Sequence, residues 1–379
     1  MATEARLIRG LEGVVAATTE LCNLDGAQGR LAYRGYDIED LARHASFEEV
    51  VWLLWHGDLP RAADLEGFRK ELADARPLAP LALKALRLVP RETHPMRVLQ
   101  AAIALLGGLD PDAEDNSAGA NRQKAVRLVA QMATLTAGFH RVRQGKRPVP
   151  PRAELSHAAN FLYMVAGRKP KPVNVRAFDA ALVLYAEHEL NASTFTTRVI
   201  ASTLADMHSA VSGGIGALKG PLHGGAGEAV MRTLMEIGGP DPDRVEAFTR
   251  QALAEKRRLM GFGHRVYKAG DPRARILRAL AEKACRQSGE GVWFQTAVRL
   301  HEVVNREKGL IPNVDFYSAP LFYALGLPVD LFVPVIAVSR VAGWTAHVLE
   351  QHADNRLIRP RAEYVGPPHR PFRPLAERG

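Results

Sequence analysis

Apolar residues recur at steps of three and four along most of this chain, the spacing that lines one face of an α-helix. Phe178, Leu182 and Tyr185 follow Val175 in this way and predict a helix running toward His188. Ser46 with Glu49 three residues later is a capping box; Val50, Val51, Leu53 and Leu54 follow it, and Gly57 and Pro60 end that helix. Ser156 opens another helix, which stops at Gly167, and further helices are predicted over 243–257, 272–287 and 297–308. Only residues 13–36 read as strand and turn: short β-leaning segments flank Asp25-Gly26-Ala27-Gln28-Gly29 and predict a small hairpin. Strand and helix never alternate, so a parallel sheet is disfavoured and the expected class is all-α with an N-terminal β-hairpin. Gly- and Pro-rich segments at 212–225 and 326–328 are expected to act as hinges. They divide the chain into a larger domain, 1–220 with 328–379, and a smaller inserted one, 221–327.

Composition narrows the function classes. A chain of 379 residues is long enough for two domains sharing a sizeable core, and 47% hydrophobic with 24% charged residues is ordinary for a globular protein. The N-terminal stretch MATEARLIRGLEG carries charges where a signal peptide needs an apolar run. The longest apolar runs, such as 331–338, fall far short of the ~20 residues of a membrane span, so a cytoplasmic protein without a membrane partner is expected. Cys22 and Cys285 lie far apart, outside any zinc-type spacing, and read as buried free thiols. The net charge of +9 admits nucleic acid, an anionic membrane surface or a polyanionic small molecule as partner. Lys and Arg are scattered through helical periods, with no zinc finger, RNP-type strand or basic block, which leaves nucleic acid without support.

Candidate chemistry is then sought in motifs. Among thirteen histidines there is no HExxH, and His347 and His352 are five apart, off a shared ligating face, so no metal site is expected. Gly145-Lys146 is followed by Arg147 in place of Ser or Thr, and Gly261-Phe262-Gly263 lacks the third glycine of a dinucleotide fingerprint. Three clusters remain: Lys219-Gly-Pro-Leu-His223-Gly-Gly-Ala, Met260-Gly-Phe-Gly-His264-Arg-Val-Tyr-Lys268 with Asp271-Pro-Arg273, and Pro312-Asn-Val-Asp315-Phe-Tyr-Ser318. Each sets an ionisable residue beside glycine or a helix boundary, where backbone can approach a ligand closely. Taken singly, each also has a structural reading. A histidine among glycines suits a surface loop, Asp271-Pro272 suits a helix start, and Asp315 suits either a cap or, between Val314 and Phe316, a general base of raised pKa.

Together these clusters resemble the citrate synthase family. The resemblance runs through Pro221-Leu-His223-Gly-Gly-Ala, Gly261-Phe-Gly-His264-Arg-Val-Tyr-Lys with Asp271-Pro-Arg273, and Asn313-Val-Asp315-Phe-Tyr-Ser. Glu187-His188-Glu-Leu-Asn-Ala-Ser-Thr, Val338-Ser-Arg340 and Asp354-Asn-Arg-Leu-Ile-Arg359-Pro-Arg extend it over nearly the whole chain. What the resemblance implies is a two-domain helical enzyme of the compact dimeric type that condenses acetyl-CoA with oxaloacetate to citrate and CoA, the first step of the tricarboxylic acid cycle. It implies Asp315 as base, His223 as donor to the thioester oxygen and His264 as donor to the oxaloacetate ketone. His188, Arg273, Arg340 and Arg359 would bind oxaloacetate, with Arg359 reaching the neighbouring subunit of a homodimer. The backbone of Arg258, Leu259, Met260, Gly261, Phe262 and Gly263 would take the adenine of CoA, with Arg265 and Lys268 toward its phosphates. No cofactor is implied, since acetyl-CoA is a co-substrate. Two readings stand beside this one: a 2-methylcitrate synthase using propionyl-CoA, and a non-catalytic helical scaffold or RNA-binding protein that kept the fold.

Overall fold

Sixteen α-helices and one three-stranded sheet form the described part of the chain in a computed structural model. The description covers residues 7–378; residues 1–6 of the charged N-terminal stretch and Gly379 lie outside it. The sheet comes first, as β1 (Cys22–Asp25), β2 (Arg30–Tyr33) and β3 (Tyr36–Asp37), antiparallel in the order β1-β2-β3 with Cys22 opposite Tyr33. This is the expected hairpin with a short third strand added where Ala32 faces Asp37. Seven helices follow: α1 (Ile38–His44), α2 (Phe47–His56), α3 (Ala62–Ala75), α4 (Pro80–Leu88), α5 (Pro95–Gly107), α6 (Ala118–Arg143) and α7 (His157–Ala166). After these come α8 (Pro172–Tyr185), α9 (Ala192–Ala201), α10 (Met207–Leu218), α11 (Ala226–Ile237) and α12 (Pro242–Ala254). The last four are α13 (Pro272–Ser288), α14 (Gly291–Lys308), α15 (Val314–Ala324) and α16 (Phe332–Ala353).

Local signals set many of these boundaries. Ser46 Oγ accepts the Glu49 N–H while Glu49 Oε2 accepts the Ser46 N–H at 2.8 Å, the reciprocal capping box read from sequence. Gly57 and Gly167 take left-handed conformations just past α2 and α7, as stop signals do. The structure starts α14 at Gly291, six residues before the expected Ala297, because Gly289 closes α13 in a left-handed turn and leaves Glu290 alone as the connection. It ends α12 at Ala254, before the expected residue 257, where Lys256 adopts a positive φ of 54°.

The first expected hinge is also corrected in part. Ser212, Gly213 and Gly214 lie inside α10, and the turn is confined to residues 219–225. These two glycines serve packing: a Cβ on Gly213 would stand 2.2 Å from Ile200 Cδ1, and one on Gly214 would stand 2.5 Å from Thr197 Oγ1 and 3.2 Å from the Trp344 ring. Close approach of α9, α10 and α16 therefore requires them.

At the centre lies α16, buried on every side from Phe332 to Val348 and in contact with α2, α5, α6, α8, α9, α10 and α11. With the preceding turn it is long and apolar enough to cross a membrane, yet its apolar window is wholly buried inside the molecule. Helices α11 to α15 pack on one another, and α13 also meets α1 and α8. Both cysteines are buried free thiols.

Candidate active site

The C-terminus of α8 delivers Tyr185 and, two and three residues on, Glu187 and His188. Asn191 then caps α9, its Oδ1 accepting the N–H groups of Ser193 and Thr194, while its Nδ2 donates to the His188 carbonyl at 3.3 Å. His188 is buried and its Nε2 lies 3.2 Å from the Tyr267 hydroxyl. Burial, with the charges of Arg273 and Arg340, drives the His188 pKa well below the usual range, so the ring is neutral.

His264 sits on a loop that folds back on its own ring. Its Nδ1 accepts the N–H groups of Val266 at 3.0 Å and Tyr267 at 3.2 Å, which leaves the ring proton on Nε2. Burial and the neighbouring Arg273 lower its pKa to about 4. The His264 ring centroid lies 5.3 Å from that of His188 and 4.7 Å from that of Tyr267. Asp271 caps α13 and grips Arg273 through two bonds, Nε to Oδ1 at 2.9 Å and Nη2 to Oδ2 at 2.8 Å. Burial would raise the Asp271 pKa, but Arg273 holds it down, and both members stay charged. The second Asp271 oxygen also accepts the Val314 N–H at 3.0 Å, tying this pair to the start of α15.

Asp315 lies in the first turn of α15, capped by Asn313 rather than acting as the cap itself. Tyr185 donates its hydroxyl to Asp315 Oδ1 at 2.8 Å. Burial pushes the Asp315 carboxyl up to about 6, against the lowering effects of Tyr185, Arg273 and Arg340. Arg340, from the buried α16 and 4% exposed, donates Nε to the Tyr185 carbonyl at 2.6 Å. That geometry leaves both terminal nitrogens of Arg340, and Nη1 of Arg273, without a hydrogen-bond partner among the described residues. Planar, permanently charged donors of this kind match carboxylates.

His223 stands in the turn after α10. Its Nε2 lies 2.9 Å from Ser193 Oγ and accepts the Ser193 N–H at 3.3 Å, so the ring proton sits on Nδ1. Trp344 Nε1 donates to the same Ser193 Oγ at 3.2 Å. Burial, then Arg340, lowers the His223 pKa to about 4. Two neutral imidazoles, each with one ring nitrogen occupied by the protein, thus offer one N–H apiece, and the Arg340 and Arg273 charges that they feel also act on the Asp315 carboxylate of raised pKa. This set can take a proton from carbon while donating to two oxygens.

The 259–263 loop is stitched to the residues before Asp315. Gly263 donates its N–H to the Ile311 carbonyl, and the Gly261 carbonyl accepts from the Asn313 N–H, both at 2.9 Å. Gly261 has φ 85°, and a Cβ there would lie 2.6 Å from Val230 Cγ2. Phe262 packs on Phe316 with centroids 4.6 Å apart, Leu259 and Met260 are half-buried, and Arg258, Arg265 and Lys268 are exposed. Arg359 is not brought to this cluster: it lies exposed on the extended segment after α16, with no ion pair among the described residues. An open cavity of about 730 Å³ between α13 and α14, lined by Arg278, Phe294 and Glu302 among others, contains none of these residues either. No group of three His, Cys, Asp or Glu among the described residues is placed to hold a metal ion.

Several contacts escaped the sequence reading. From the sequence, Tyr185 reads as one of a buried stripe, Asp271 as a helix cap, and Ser193 and Tyr267 as members of longer motifs. Spacing offered a signal for Asp271, two residues before Arg273. For Tyr185 there was none, since Asp315 is 130 residues away. Nor was the fully buried Glu187–His347 contact of 3.0 Å legible.

Comparison with known proteins identifies the family. The model of the family described as citrate synthase, C-terminal domain, matches residues 10–361. The chain is 48% identical to citrate synthase 2 of Bacillus subtilis over 98% of its own length and 99% of the relative's. It is 43% identical to a 2-methylcitrate synthase of Mycobacterium tuberculosis, covering 94% of this chain and 90% of the other. Among solved structures, citrate synthase from the archaeon Thermoplasma acidophilum, in ternary complex with carboxymethyl coenzyme A and oxaloacetate, superposes with a TM-score of 0.93 at 36% identity. That match covers 98% of this chain and 100% of the other. With fold, motif order and full-length identity in agreement, the chain belongs to the citrate synthase family.

Proposed function

We propose that this chain is an acyltransferase condensing acetyl-CoA with oxaloacetate and water to give citrate and CoA. The observation that carries the reading is the pair of opposed histidine tautomers, His223 protonated on Nδ1 and His264 on Nε2, with Arg340 acting electrostatically on both His223 and Asp315 and Arg273 on both His264 and Asp315. Asp315, ionised, takes a proton from the acetyl methyl group. His223 Nδ1–H meets the thioester oxygen as charge develops on it, a preorganised donor worth ~3 kcal/mol. The enol carbon then attacks the ketone of oxaloacetate, whose oxygen receives a proton from His264 Nε2. Arg273 and Arg340, with His188, hold the two carboxylates, and citryl-CoA is hydrolysed. The reaction needs no metal or cofactor.

CoA is assigned to the backbone of residues 258–263 because that loop is bonded to the segment leading into Asp315. Arg359 is assigned to the partner's site in a homodimer, consistent with its exposure away from its own cluster. The division at residues 221–327 into a small domain that closes over oxaloacetate, and a cytoplasmic location, belong to the same proposal. A second reading, 2-methylcitrate formation from propionyl-CoA, is favoured by the mycobacterial relative, and one methylene in an acyl pocket is worth only ~1–3 kcal/mol.

Thiol release from acetyl-CoA, with and without oxaloacetate and beside propionyl-CoA, tests both. Oxaloacetate-dependent release that favours the acetyl substrate and falls at least ~10²-fold in Asp315→Asn supports the condensation. Equal or better use of propionyl-CoA moves the assignment to 2-methylcitrate, and no release from folded protein with either thioester rejects both.

A further inference from the structure

The small N-terminal sheet touches both segments that carry the oxaloacetate histidines. On one side Tyr33 of β2 is buried, its hydroxyl donating to the Glu187 carbonyl at 2.8 Å and accepting the Glu187 N–H at 3.2 Å, one residue before His188. On the other side the turn between β1 and β2 lies against the loop that follows His264. Lys268 donates its N–H to the Gly26 carbonyl at 2.9 Å. A Cβ on Gly26 would stand 2.4 Å from the Val266 carbonyl oxygen and 2.9 Å from its carbon, and one on Gly29 would stand 2.9 Å from the Gly270 oxygen. At Gly26 the backbone is not left-handed, so contact alone excludes a side chain there. The turn is firm, since Asp25 Oδ1 accepts the N–H groups of Ala27 and Gln28, both at 2.9 Å.

The peptide that Gly26 faces has a second role. The Val266 carbonyl belongs to the same planar unit as the Tyr267 N–H, and that N–H is one of the two donors that fix the His264 ring. Displacing the oxygen tilts the plane and moves the donor with it. Tyr267 in turn reaches His188, and Asp271 beside Gly270 grips Arg273.

We propose that the β1–β2 turn is a positioning device for the oxaloacetate half of the site, with Gly26 acting through the Val266–Tyr267 peptide on the tautomer and orientation of His264. The kinetic part of this inference rests on the condensation proposed above; the structural part does not. Gly26→Ala in the full chain is the test, with two readouts. Imidazole nitrogen resonances of His264 report whether the proton stays on Nε2, and steady-state kinetics separate the two substrates. The expected result is loss of the single Nε2–H form, with kcat/KM for oxaloacetate falling about tenfold or more, a larger effect than on KM for acetyl-CoA. Gly35→Ala is the control: Gly35 has φ 87° in the next turn, and a Cβ there would meet nothing within 4 Å, so the substitution strains the sheet without touching the loop. It should lower Tm and leave both readouts alone.

Unchanged His264 resonances in folded Gly26→Ala overturn the inference whatever the activity, and so does a Gly35→Ala variant that reproduces the loss. If Gly26→Ala does not fold, Asp25→Ala loosens the same turn without adding bulk and must shift the His264 resonances in the same direction. A parent chain without oxaloacetate-dependent thiol release would sink the functional reading, and the resonance comparison would still decide this one.

Discussion

Tyr185 holds Asp315 by a single 2.8 Å hydrogen bond, and this bond opposes the burial that lifts the carboxyl to about 6. A base must be ionised to act, so activity rises with pH through this value and is lost as pH falls below it. Tyr185→Phe removes a bond that favours the charged form, and the acid limb of the pH–rate profile moves to higher pH. One such bond is worth ~1–1.5 kcal/mol, so the movement is about one pH unit. An acid limb that stays in place in the variant would show that the hydroxyl does not tune the base.

Ser193 is the side chain that occupies His223 Nε2, at 2.9 Å, with Trp344 holding the serine from behind. Ser193→Ala keeps the backbone N–H but loosens the ring. On the proposed role of His223 as donor to the thioester oxygen, kcat should fall ~10-fold, the equivalent of about 1.4 kcal/mol. KM for oxaloacetate should hold. A rise in that KM with kcat intact would place His223 at the wrong substrate.

Asp179 of α8 provides a stability test far from the chemistry. It is buried, and burial with the nearby Glu48 lifts its pKa to about 7, although Phe47 donates its N–H to it at 3.1 Å. The folded chain thus holds a proton that the unfolded chain releases, and stability from this group is lost as pH rises from about 4 through 7. The cost at pH 8 has an upper bound of ~4 kcal/mol. Asp179→Asn should therefore raise Tm at pH 8 relative to the parent and change it less at pH 5. A Tm difference that is the same at both pH values contradicts the assignment.

Arg359 can be tested by mixing inactive chains. Asp315→Asn and Arg359→Ala are each expected to be inactive alone. If Arg359 serves the neighbouring subunit, random mixed dimers contain one intact site each, and about a quarter of parent activity returns on co-refolding. If it served its own chain, no combination would restore activity.

What could be read from the sequence was local. The capping box at Ser46, the left-handed stop at Gly167 and the Asp271-Pro272 helix start all lie within a few residues, and the structure contains each of them. The histidines, arginines and aspartate stood out for the same reason, as short motifs in family order. What stayed hidden depends on partners brought in from elsewhere. Gly213 and Gly214 looked like a hinge because glycine frees the backbone, whereas Ile200, Thr197 and Trp344 pressing on α10 explain them. Protonation was equally unreadable: nothing near His223 in sequence says that Ser193, 30 residues earlier, decides which nitrogen carries the proton.

The central position of α16 has a consequence for synthesis. This helix is the last of the sixteen to leave the ribosome, yet seven earlier helices rest on it, and it carries the buried Arg340. At ~5–20 residues per second, the apolar faces of α5, α6, α8, α9 and α10 emerge many seconds before the element that covers them. Chains stalled before residue 332 carry those faces uncovered and lack Arg340, so they are expected to be substrates for chaperones and proteases and not partial enzymes.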